Sequence, residues 1–209
     1  MALLSDSAWR AVGQIPWRLA RLSRAGRGQA GGVLRCWLAW ERFTCWRAHL
    51  QPARPGGLLR YRREFYRGPA VTLGDGTVVR AGDPILELHL DNSALLQLAT
   101  SPAWTPGRAL RLLEDDLRAL AALQGTPFVA LHGVTLLAGP GRRLHFECRP
   151  LPRTWRAHCQ HLFLAGLLAI YHPAGWHGSA RRATERWPAE LWLSADALQR
   201  VARDTRPAS

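Results

Sequence analysis

Lysine is absent from this 209-residue chain, so all 28 of its lysine-plus-arginine cations are arginine, and asparagine occurs once, as Asn92. Both scarce types are encoded by AT-rich codons, so their scarcity points to a bias in nucleotide composition. That matters for the formal charge of +13. Such a charge ordinarily suggests nucleic acid or an acidic membrane as partner, but here part of it reports codon usage. Cysteine is sparse. Cys36, Cys45, Cys148 and Cys159 form no C-x-x-C pair, which speaks against a disulfide framework and fits a reducing compartment. Long apolar runs are missing too. The longest, "LFLAGLLAIY" at 162–171, is about half of the roughly 20 residues a spanning helix needs. The opening "MALLSDSAWR" has no basic segment followed by an apolar one, so no secretory signal is expected and the expected location is cytoplasmic. Hydrophobic residues make up 47% of the chain, enough for a real core, which excludes disorder throughout.

The residues that are present divide the chain. Positions 1–32 combine Trp9, Trp17 and several arginines with the glycine-rich break "AGRGQAGG", a basic aromatic appendage and linker. "VLRCWLAWERFTCWRAHL" then reads as a helix with Val33, Trp37 and Trp40 on one stripe. From Leu58 the period changes to two. "LLRYRREFY", "PAVTL" and "TVV" read as strands, with "GDG" at 74–76 as a hairpin turn. Strand 85–90 leads into a short helix, "NSALLQLAT", capped by Asp91 or Asn92. Residues 106–124 form the clearest helix: Thr105 caps it, Pro106 opens it, and Leu110, Leu113, Leu117 and Leu120 line its buried face. "FVALHGVTLL" and "RLHFECRPL" read as strands joined by a loop "AGPGR". A central helix 155–171, a strand "ELWL" and a last helix capped by Ser194 follow. Strands grouped apart from helices predict an α+β domain over 33–203, with a mainly antiparallel sheet packed against helices, a helical N-terminal appendage, and a tail at 204–209.

The ordered run "LLRYRREFYRGPAVTLGDGTVVRAGDPILELHLDN", the long helix, "GVTLL", "RLHFECRPL", "YHPAGW" and "RWPAELWLS" resemble the YkoP-like domain family over roughly Val33 to Arg203. The resemblance implies a bacterial domain that in some proteins is attached to a polysaccharide deacetylase domain, and hence a link to envelope polysaccharide. The chain has no stretch like the paired-aspartate and His-x-x-x-His metal motifs of those enzymes. The resemblance therefore carries over no catalytic residue.

The stretch "ILELHLDN" at 85–92 poses the functional question. Leu86, Leu88 and Leu90 fall on one face, and Glu87, His89 and Asp91 on the other. That second face reads first as the wet side of a one-sided sheet and second as a site, with Glu87 orienting His89 as a general base. Three Leu-His steps place His89, His132 and His145 in successive strands, and imidazoles with a carboxylate are ligands that zinc or iron uses. No cofactor is the leading expectation and such a metal the secondary one. Asp91 and Asn92 are candidate ligand-binding residues beside their capping role. Arg181 and Arg182, in "GWHGSARRATERW", are candidates for a phosphate or carboxylate. Cys148 and Cys159 are expected as core cysteines rather than ligands.

Three function classes follow. The first is a binding or accessory module that recognises an anionic ligand, a membrane surface or a protein partner, with peripheral membrane association through the Trp/Arg segments. The second is a hydrolase working at Glu87 and His89. The third, nucleic-acid binding, rests on charge alone and is not favoured.

Overall fold

The computed structural model describes residues 49–102, 105–123, 127–171 and 187–204. The appendage at 1–32, the Trp37/Trp40 helix, Arg181 and Arg182 lie outside the described residues. Alternating side chains build strands β1 (Gln51–Pro52), β2 (Leu59–Phe65), β3 (Val71–Thr72), β4 (Val78–Val79), β5 (Pro84–Leu90), β6 (Ala130–Thr135), β7 (Glu147–Pro150) and β8 (Ala189–Ser194). The helices are α1 (Asn92–Thr100), α2 (Pro106–Ala121), α3 (Ala138–Arg143), α4 (Trp155–Tyr171) and α5 (Ala195–Asp204). Six strands form one sheet in the order β1-β2-β5-β6-β8-β7. Its pairs are antiparallel except β5 and β6, which run parallel because α1 and α2 intervene between them. The α+β class is as expected.

Local chemistry explains the boundaries. Thr105 Oγ1 accepts from Arg108 N at 3.1 Å and Pro106 opens α2. Ser194 Oγ accepts from Ala197 N at 2.9 Å to start α5. At the β3–β4 hairpin Gly76 takes φ +87, a left-handed conformation that a side chain would strain. The stretch 138–145 departs from expectation. "AGPGRR" is a short helix rather than a loop, and it tolerates Pro140 because that residue falls in the first turn where no N–H is needed. Its Gly141 packs so closely on β8 that a Cβ there would lie 2.8 Å from Leu191. The strand consequently starts only at Glu147.

The sheet has two different faces. One carries Leu59, Tyr61, Leu86, Leu131 and Leu193, which pack with Leu117 and Leu120 of α2 and Leu198 of α5 into the main core. Leu88 and Leu90 join its margin, as the period of two predicts. The β3–β4 hairpin folds over one end of the other face. There Leu73 and Val79 cover Ile85, Ala130 and Trp192 in a second apolar cluster edged by Tyr66. The hairpin is tied down by Asp75, which accepts from the Ser194 hydroxyl, by Gly74 N donating to Glu147 Oε2 at 2.9 Å, and by Arg149 donating to Thr72 O.

A buried carboxylate ties this sheet to α2. Asp116 is 0% exposed. Its Oδ2 accepts from the backbone N–H groups of Leu58 and Leu59 at 2.6 and 2.8 Å. Its Oδ1 lies 2.7 Å from Arg54 Nε, an ion pair rather than an aligned hydrogen bond. A Cβ on Gly57 would collide with this carboxylate. Removing it strands two buried donors and a guanidinium, so Asp116→Ala is expected to lower unfolding free energy by roughly 3 kcal/mol. Urea denaturation of the variant against the parent protein measures the loss.

Candidate functional site

Strand register assembles the polar face. Arg62 of β2 is the Cα partner of Glu87 on β5, Glu87 of His132 on β6, His132 of Trp192 on β8, and Trp192 of Glu147 on β7. These five side chains therefore lie along one rung and project to the same side. One step away on that side come Arg60, paired with His89, and Glu190, opposite Val134. The hairpin closes the end of the face next to Trp192, and the two histidines lie where its cover stops.

Within the patch the charged groups hold each other. Glu87 Oε2 accepts from Arg62 Nε at 2.5 Å, a charge-assisted hydrogen bond, and an Arg62 terminal nitrogen lies 2.5 Å from the same oxygen as an ion pair. Glu87 Oε1 faces His89 Nε2 at 3.5 Å. Across the sheet, His132 Nε2 lies 3.9 Å from Glu190 Oε1, while Glu190 Oε2 accepts from Trp192 Nε1 at 3.1 Å. The His132 and Trp192 rings approach to 4.2 Å between centroids. Neither histidine–carboxylate distance is a hydrogen bond. Both Nε2 atoms are buried and have no hydrogen-bond partner among the described residues, although the His89 side chain as a whole is 38% exposed.

Burial is the largest influence on both imidazoles, and it disfavours the cation. His89 is held below the ordinary histidine range by burial, against the pull of Glu87 and with help from Arg62 and His132. His132 is lowered by burial against Glu190 and Glu87. Both rings are thus neutral near pH 7, each with one nitrogen able to accept and one able to donate.

The other sequence candidates divide. Asp91 is the N-cap of α1, accepting from Ala94 N at 3.0 Å and Ser93 Oγ at 2.6 Å, while Arg60 donates to its second oxygen at 2.7 Å. Burial works to raise its pKa, but these donors outweigh it and hold the carboxyl below the usual range. Asn92 is the first residue of α1. His145 does not join the other histidines. It stands exposed in the turn between α3 and β7, at φ +65, because the helix at 138–143 takes up the chain that was expected as strand. Among the described residues no group of three His, Cys, Asp or Glu side chains is placed to hold a metal ion. The two carboxylates nearest the histidines are already engaged by Arg62 and Trp192. Cys148 packs against the main core and donates toward Ala138 O at 3.4 Å. Arg62, Glu190 and Trp192 were not singled out by sequence reasoning. Their alternation in "YRREF" and "ELWL" was visible, but not the strand order that brings them to β5 and β6.

The sign of the pH effect follows from the lowered pKa values. An unfolded histidine titrates near 6.5, so between that pH and the lower native values the unfolded chain binds more protons. Stability is fully present above about pH 6.5 and is lost as pH falls through the native values. His132, 17% exposed, is expected to contribute a slope of up to about 1.4 kcal/mol per pH unit within that window. His89, at 38%, contributes less. Denaturation curves between pH 7.5 and 5 check this, and His132→Gln should flatten the acid limb.

A YkoP domain profile matches residues 30–202, most of the chain. No curated protein and no solved structure gives a significant match. No helix among the described residues is long and apolar enough to cross a membrane. The β2-β5-β6-β8 rung with its two neutral histidines is thus a feature of a chain that belongs to the YkoP domain family.

Proposed function

We propose that this chain is a ligand-binding or accessory module whose recognition surface is the polar sheet face around His89 and His132. The observation that carries the reading is the pair of buried Nε2 atoms without hydrogen-bond partners. A buried, unpaired polar atom costs about 1–3 kcal/mol, and a ligand that hydrogen-bonds to these nitrogens once the rings turn them toward the open face removes that cost. Neutral imidazoles donate and accept, and the neighbouring carboxylates Glu87 and Glu190 accept only. This set suits a ligand rich in hydroxyl or amide groups, such as a saccharide of the bacterial envelope. The same set suits a strongly anionic ligand poorly, since two carboxylates stand beside the nitrogens.

A second reading, hydrolysis, has its own observation. Arg62 fixes Glu87, and Glu87 faces the ring of a neutral His89, an order in which a carboxylate orients a base. A depression lined by Phe65, Pro84 and Phe128 lies at the other end of β2 and β5, away from these residues.

Titrating the full chain with soluble amino-sugar oligosaccharides, followed through the histidine ring signals by NMR, separates the readings. Binding is expected to shift the His89 and His132 resonances. His89→Ala and His132→Ala should each weaken it about ten-fold, the loss of one or two hydrogen bonds. Saccharide binding that both variants retain would place recognition elsewhere. Turnover of the same oligosaccharides that falls about 100-fold in Glu87→Gln would instead favour the hydrolase.

A further inference from the structure

Around His89 and His132 most carboxylate oxygens are already engaged. Asp91 has both occupied, by Arg60 on one side and by Ser93 and Ala94 N on the other. Glu147 has both occupied by Arg149 and Gly74 N, and Glu64 is ion-paired with Arg62 and Arg67. Glu87 Oε2 accepts from Arg62, and Glu190 Oε2 from Trp192 Nε1. That leaves Glu87 Oε1 and Glu190 Oε1 with no hydrogen-bond donor among the described residues. Each is the oxygen that a histidine faces, at 3.5 Å from His89 Nε2 and 3.9 Å from His132 Nε2. Both nitrogens are themselves buried and without a hydrogen bond. Two open acceptors therefore stand off from two open ring nitrogens, roughly 0.5–1 Å beyond hydrogen-bond length.

The stand-off has a chemical cause in the neutral state. An imidazole with its proton on Nδ1 turns the Nε2 lone pair toward the carboxylate, and two acceptors repel. Protonation makes Nε2 a charged donor, and the same contact becomes a charge-assisted hydrogen bond of about 2.7–2.9 Å. Rotation about the soft χ2 torsion closes such a gap without backbone movement. The two contacts also depend on each other. Glu87 precedes His89 by two residues on β5 and is the Cα partner of His132 on β6. Burial is the largest influence against charge on either ring, and Glu87 favours charge on both. Arg62 and His132 oppose it at His89, so a second proton meets the charge of the first. Tyr66, beside Trp192, is raised by burial and Glu190 and stays protonated throughout.

We infer that these two stand-offs are a proton-operated latch: proton uptake closes His89 Nε2 onto Glu87 Oε1 and His132 Nε2 onto Glu190 Oε1. Its consequence for binding rests on the saccharide reading given above, because a ring held on its carboxylate cannot turn Nε2 toward the open face. Ligand is held by the neutral rings and released in acid. Affinity is fully present above the native histidine values and is lost as pH falls through them. Release linked to one proton raises Kd about ten-fold per pH unit below the first of these values. The opposed second proton keeps the slope near that figure until the pH is lower still.

NMR titration of the histidine rings in the full chain, without ligand and from pH 8 downward, tests the latch itself. The His89 midpoint is expected to fall in Glu87→Gln and the His132 midpoint in Glu190→Gln, since each loses the anion that receives its proton. The parent chain supplies a measurement that needs no substitution. At the acid end of the titration both ring Nε2–H protons should be slowed in solvent exchange, as hydrogen-bonded protons are. Midpoints indifferent to both substitutions, Nε2–H protons that exchange freely, or rings that stay neutral until the chain unfolds each overturn the latch. Affinity for N-acetylated amino-sugar oligosaccharides, which carry no titrating group, is then measured across the same range. A Kd that rises about ten-fold per pH unit below the first midpoint supports acid release. A Kd that stays flat while the rings titrate overturns acid release and leaves saccharide binding standing. Absence of binding at every pH overturns the saccharide reading, and the ring titrations decide the latch by themselves.

Discussion

The buried carboxylate of Asp116 is the point on which the geometry of the sheet depends. By accepting from the N–H groups of Leu58 and Leu59, it sets where β2 begins and which of its residues face α2. Leu59 then pairs with Leu90, and the antiparallel register carries on to Arg60 with His89 and Arg62 with Glu87. A slip of one residue would turn Arg62 into the main core and Tyr61 out of it. The hydrogen bonds that hold a helix against a strand thus also decide that a guanidinium meets Glu87. Arg54 supplies the opposite charge that makes burial of Asp116 tolerable. Gly57 supplies the space, because any side chain there would occupy the position of the carboxylate.

From that register the two faces acquire different physical characters. The main core is sealed by α2 and α5 over leucines from β2, β5, β6 and β8. The opposite face is not simply wet. A two-stranded hairpin covers it as far as Trp192 and is held by polar ties through Asp75, Gly74 and Arg149. Beyond that cover the surface turns to carboxylates, imidazoles and arginines. His132 stands at the boundary, its ring against Trp192 on one side and the Glu87–Arg62 pair on the other. This apolar backing keeps the histidines neutral, since burial is the largest influence on both.

Much of this was legible in the sequence wherever the signal was local. The alternation of "LELHL" separated Leu86 and Leu88 from Glu87 and His89, and Thr105, Pro106, Asp91 and Ser194 marked helix starts that the structure places at those residues. The glycine of "GDGT" marked the hairpin. The gaps are equally physical. "AGPGRR" carries two glycines and a proline, so its helix arises from the fit of Gly141 on Leu191, a tertiary contact that propensity does not encode. His145 was placed with the other histidines because its Leu-His step resembled theirs, yet that helix puts it in a turn. Asp116 carries no local sign of burial. Glu190 and Trp192 join the patch only through the order β5-β6-β8, which depends on a parallel crossover and an antiparallel return. Local periodicity reports the face a residue takes but not its neighbours across the sheet.

The histidine pair also bears on how stability and function divide in this domain. A domain of this size is held by about 5–15 kcal/mol, and two unpaired buried nitrogens at about 1–3 kcal/mol each are a sizeable fraction of it. An apolar side chain at 132 would pack against Trp192 without that cost. Ion pairing does not explain the arrangement either: at 3.5 and 3.9 Å the imidazoles are too far from Glu87 and Glu190 for hydrogen bonds, and both rings are neutral. The Arg62–Glu87 pair is complete without them. Structural reasons for two histidines at these positions are therefore weak. On the ligand-binding reading proposed above, a partner that hydrogen-bonds to these rings would offset that cost.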